Sequence, residues 1–154
     1  MGWQDFYRRR DALNAAVEQG ELRTSEAFRS ERDLLLALQH RWSQRLTARV
    51  ELAMLDADNP ADPVDAVGAA WRETASHNAS LRALLDRYDR DLHPHLAAEH
   101  RMLAKTAGLT EPSDDEAEMA AIGAAFVALQ RSAPARPDRR NPVERLIRRL
   151  VMSA

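Results

Sequence analysis

From Glu21 to Asn59 the chain runs without a single glycine or proline. Within that stretch, Leu34, Leu35, Leu38, Trp42, Leu46, Val50 and Ala53 recur at three- and four-residue spacing, while Glu31, Arg41, Arg45 and Arg49 occupy much of the rest. A 3.6-residue period sustained from Glu31 to Asp56 predicts one helix of about seven turns, long enough to form the spine of a small domain. Its apolar stripe must be covered by other elements, and the segments that flank it carry helical spacing too, which predicts an all-α fold.

Glycine and proline cluster at breaks elsewhere in the chain: Gly20, Pro60 with Pro63, Pro94, Gly108 with Pro112, and Pro134, Pro137 and Pro142. They divide the chain into five or six helices. The first, Trp3 to Gln19, places Phe6, Leu13, Ala16 and Val17 on one side and closes at Gly20. A third element opens at Asp62-Pro63-Val64-Asp65, with Asp62 as cap and Pro63 at the first helical position. Val64, Val67, Trp71, Leu81, Leu85, Tyr88 and Leu92 predict that it continues to His93-Pro94. A further helix is expected over His95 to Ala107.

Ser113 with Glu116 reads as a capping box for a helix through Arg131. Between Ala117 and Leu129 only Glu118 is charged, so the segment needs cover on most sides. Ala117, Ala121, Ala124, Ala125 and Ala128 form a small-residue stripe with Phe126 nearby. Such a helix is either the centre of a monomer or the interface of a symmetric homodimer, and the dimer is the expectation adopted. Residues 132–140 read as a linker after a bundle spanning 1–131. Residues 141–154 read as a short amphipathic helix, with Val143, Leu146, Ile147, Leu150 and Val151 on one face. That helix would dock on its own bundle, in a partner groove or on an anionic membrane surface.

With 154 residues, one compact bundle is the expected domain count. A net charge of −2 provides no overall basic field for nucleic acid or membrane. Only the ends carry a sign: Glu111 to Ala133 sums to −4 and Pro134 to Ala154 to +4. Cysteine is absent, which removes disulfides, thiolate nucleophiles and cysteine metal sites. Arginine outnumbers lysine twenty-one to one, Lys105 being the only lysine. A GC-rich coding sequence accounts for that bias, the alternative being arginine-based recognition of phosphate. The charged, aromatic start lacks the apolar core of a signal peptide and no run reaches membrane-spanning length, so a cytoplasmic protein is expected.

Chemistry-bearing patterns are sparse. His95 and Glu99 share a face by spacing and are the strongest pair for a metal, but the paired Glu-x-x-His units of ferritin-like bundles and the dispersed histidines of hemerythrin-like ones are missing. No nucleophile elbow, phosphate loop or dinucleotide fingerprint occurs, so neither catalysis nor a cofactor is expected. Trp42, Trp71, His77, Asn78 and Tyr88 combine aromatic and hydrogen-bonding groups beside the apolar faces of the second and third helices. They suggest a pocket for a small apolar ligand, the alternative being a packed core with aromatic edges.

Two stretches carry a resemblance. Phe28-Arg29-Ser30-Glu31-Arg32-Asp33-Leu34-Leu35-Leu36-Ala37-Leu38 resembles the phenylalanine, short link and leucine-rich helix that follow the DNA-reading unit of tetracycline-repressor-like (TetR) regulators. Arg8 to Ala16 is similar to their first helix, and Ala70-Trp71-Arg72 through Leu81 to Asp86 to helices of their ligand domain. Only Glu21 to Ala27 stand where such regulators carry two helices that enter the major groove. The resemblance implies a ligand-binding, dimerising body without a DNA-reading head. The expectation is therefore a non-catalytic regulator or adaptor binding a small apolar ligand or a protein partner, without direct DNA binding. The alternative is a metal- or cofactor-binding helical-bundle enzyme.

Overall fold

The computed structural model describes residues 2–56 and 62–133. Six helices form: α1 (Trp3–Gln19), α2 (Glu31–Leu55), α3 (Pro63–His77), α4 (Ala79–Asp86), α5 (His93–Thr106) and α6 (Glu116–Ser132). No strand accompanies them among the described residues; a lone bridge joins Ser25 to Phe28 in the link between α1 and α2. The fold is all-α, and none of these helices is long and apolar enough to cross a membrane.

The spine is α2. Ser30 caps it by accepting from the Asp33 amide, and Leu34, Leu38, Trp42 and Leu46 are all fully buried. Each such side chain contributes about 1.5–3 kcal/mol of burial. α2 packs mainly on α3, while α5 and α6 clasp each other most extensively and α3 joins the two pairs. The clasp is close because of Gly123: a Cβ there would lie 1.9 Å from the His100 carbonyl oxygen. α1 contributes Ala16 as its buried residue and ends at Gly20, whose φ of 65° is the left-handed cap expected there. The Arg87 guanidinium then donates to the Gly20 carbonyl at 2.8 Å.

Three boundaries differ from the expected ones. The element predicted to run from Asp62 to His93 breaks at Asn78, which leaves helical geometry at φ −127° and ψ 40°. Thr74 donates to the Ala70 carbonyl and the Asn78 amide donates to the Thr74 carbonyl, the local competition that turns polar side chains against a continuing helix. α5 begins at His93 and takes Pro94 into its first turn instead of being stopped by it. The capping box of α6 is Asp115 with Glu118, not Ser113 with Glu116. Ser113 is consumed in a turn closed by the Asp114 carboxylate, which accepts from the Glu111 amide at 2.6 Å.

Phe126, expected with the alanines at the dimer interface, is 4% exposed and belongs to the core of the protomer. Ala117, Ala121, Ala124, Ala125 and Ala128 are all exposed, beside Leu129 at 66%. Of the linker expected over 132–140, Ser132 instead closes α6; residues 134–140 and the helix expected over 141–154 lie outside the described residues.

Candidate functional site

The five residues expected to line one pocket are not brought together. Trp42 and Trp71 are buried in the core, edge-on with ring centroids 6.2 Å apart, so the space between α2 and α3 at this level is filled. His77 and Asn78 lie at the surface break between α3 and α4. Tyr88 is half-buried in the turns after α4.

What surrounds the tryptophans is a partly buried charged cluster drawn from α4, α5 and α6, with Gln39 of α2 beside it. The Trp42 indole N–H donates to Glu99 Oε1 at 2.8 Å. Arg82 lies over the Trp42 ring at 4.6 Å and is paired through Nε with Asp86 at 2.9 Å. Arg131 grips Asp86 with both terminal nitrogens, at 3.0 and 2.8 Å, and lies over Trp71 at 5.2 Å. Gln39 is buried next to Glu99, yet neither end of its amide makes a hydrogen bond of good geometry with a described residue, and the Trp71 N–H is likewise unpartnered.

Burial pushes the Glu99 carboxyl upward, against the opposing pull of the Arg82 charge and the Trp42 hydrogen bond. For Asp86, burial acts upward as well, but the Arg131 hydrogen bond and the Arg82 and Arg131 charges outweigh it and hold the carboxyl below its usual range. Burial lowers His100, reinforced by Arg131 and Arg82. The cluster is a means of holding α2, α4, α5 and α6 in register, since a buried charge stripped of its partner costs several kcal/mol. The pair weighed for a metal is not brought together, since His95 is exposed whereas Glu99 turns inward, and no group of three metal-binding side chains converges among the described residues.

The accessible concave surface lies elsewhere. A groove of about 830 Å³ runs between α1 and α2, in the range of small-molecule sites. Its apolar wall is Trp3, Phe6, Leu13, Leu36 and Ala37, and its rim carries Arg9, Arg10, His40 and Arg41. Trp3 is 78% and Phe6 57% exposed, Trp3 meeting Phe6 edge-on at 6.4 Å. Arg10 is paired with Asp11 at 3.2 Å, whereas Arg9 lies over the buried Phe28 ring at 4.6 Å and has no carboxylate partner among the described residues.

A second, more polar cavity of about 450 Å³ lies where α2 faces the α3–α4 break. Arg41 lines both. Sequence reasoning placed Phe6 on the apolar side of α1 but did not join it to Trp3. The signal is there: Trp3, Phe6 and Leu13 extend the α1 stripe beyond what a core resting on Ala16 covers. Comparison with protein-family models, curated proteins and solved structures produced no match.

Proposed function

We propose that this chain is a non-catalytic, cytoplasmic regulator-like or adaptor protein that binds a small amphiphilic anion in the groove between α1 and α2. The observation that carries the reading is the groove itself: an indole and a phenyl ring left exposed over an aliphatic floor, beneath a rim of guanidinium groups. Apolar walls favour a hydrocarbon or aryl body, and an arginine rim favours one carboxylate or sulfonate head over a neutral one. The resemblance to the body of TetR-like regulators points the same way. Residues 20–30, where such regulators read DNA, form turns and an isolated bridge and no helix.

Pairing of two copies through the exposed alanine face of α6 completes the proposal. Small side chains let helix backbones approach closely, and Leu129 would be covered in the same contact.

Trp3 supplies the assay, because the other two tryptophans are buried. Decanoate, kept below its micelle-forming concentration, should change the emission of the full chain saturably, with decanol much weaker. The response should vanish in Trp3→Phe and weaken at least tenfold in Phe6→Glu. An unsaturable response, or equal binding of decanol, would refute the reading.

A further inference from the structure

The cavity at the α3–α4 break was left unassigned by the groove reading, and its charges are unusual. Arg41 and Arg45, one turn apart on α2, both line it. Neither has a carboxylate partner among the described residues. Each is held by a neutral amide oxygen instead: Arg41 Nη1 donates to Asn14 Oδ1 at 2.9 Å, and Arg45 Nη1 donates to Asn78 Oδ1. Two guanidiniums kept apart only by amides repel each other, and burial together with the Arg45 charge lowers the Arg41 pKa. Ser76 and Ser80 line the same cavity. Arg49 lies alongside, but it is already engaged by Glu73 at 3.4 Å and by His77. The only carboxylate in the lining is Glu18, exposed on α1 and without an ion-pair partner among the described residues.

We propose that this cavity is a binding site for a phosphate monoester, whose dianionic head sits between Arg41 and Arg45. A planar fork on each arginine suits tetrahedral oxyanions, and a dianion relieves the repulsion that the amide partners leave standing. The volume of about 450 Å³ exceeds what bare phosphate needs, which leaves room for the organic part of a small ester. Glu18 disfavours the anion, so the sign of its effect separates this site from one built for cations.

The test is calorimetric titration of the full chain at constant ionic strength with inorganic phosphate and with phenyl phosphate. Both should bind, the ester more tightly. Arg45→Gln should weaken binding at least tenfold, and Glu18→Gln should strengthen it severalfold. Phe6→Glu should leave it unchanged, so failure here and failure of the groove reading are distinguishable. A circular dichroism melt checks that Arg45→Gln is folded, as expected for an exposed side chain. Absence of saturable heat with either compound, undiminished binding by Arg45→Gln, or weaker binding by Glu18→Gln would overturn the site. Co-sedimentation with phosphatidic acid vesicles without binding of the soluble phosphates would locate the oxyanion on a lipid surface and overturn the small-molecule ligand.

Discussion

Gly123→Ala is the most discriminating perturbation of this fold, because two effects of opposite sign act at one atom. In a helix interior, alanine is favoured over glycine by about 1 kcal/mol. The added Cβ, however, would lie 1.9 Å from the His100 carbonyl oxygen, 2.4 Å from its carbon and 2.7 Å from its Cα. These are backbone atoms of α5 and cannot swing aside. Restoring an ordinary contact requires α5 and α6 to separate by about 1.5 Å, which loosens Leu103, Phe126 and Val127, all buried. Overpacking of this kind costs about 1–3 kcal/mol or more, and the loosened contacts add to it. A net loss of about 2 kcal/mol is expected, equivalent to a fall in Tm of about 4–8 °C for a chain of this size. Gly68→Ala is the internal control. Its Cβ meets the Gln130 side-chain amide at 2.6 Å, and that flexible end can move. The expected change there is within about 1 kcal/mol. Urea and thermal unfolding followed at 222 nm measure both. A Gly123→Ala variant as stable as the wild type would refute the close approach of α5 and α6.

Glu99 makes a pH-dependent contribution of definite sign. Its folded pKa is raised, so the folded state binds the proton more tightly, and the stability it contributes is lost as pH climbs from the ordinary glutamate value of about 4.3 through the raised one. Asp86, with a lowered folded pKa, acts oppositely: its contribution is present above the ordinary carboxylate value and is lost as pH falls through its depressed one. Urea midpoints measured from pH 4 to 8 should therefore fall less with rising pH in Glu99→Gln than in the wild type; parallel profiles would contradict the burial of that carboxyl. On α6, Ala124→Arg places a charge in the proposed interface and should give monomers by light scattering that keep their helical circular dichroism, since Ala124 is exposed in the single protomer. A wild-type monomer at micromolar concentration would remove the dimer from the proposal.

Periodicity and capping residues specified α1 and α2 well, because there the local signals and the tertiary fold agree. Gly20 closes α1 and the Leu34-to-Val50 stripe faces the core. No glycine or proline marks the break at Asn78; it depends on Thr74 and on a hydrogen bond from Arg45, thirty-three residues away. The α6 cap was ambiguous because Ser113/Glu116 and Asp115/Glu118 have the same spacing, and only the turn at Glu111–Asp114 selects the second. Trp42 and Trp71 lie on apolar faces as their spacing implies, but a sequence cannot distinguish an aromatic lining from an aromatic core. That depends on what fills the space opposite, here Arg82, Glu99 and Arg131.

The charged centre ties α2 through α6 together but takes nothing from α1, whose own buried residue is Ala16. Cooperativity is therefore uneven along the chain. Amide hydrogens of α1 should exchange through a local opening of low free energy, while those of α2 and α5 await global unfolding. Because α1 is also one wall of the groove, the site has one rigid side and one side that yields at small cost. Occupants of different bulk are then accommodated by displacing a single helix, and an occupant that fits well should slow exchange in α1 alone.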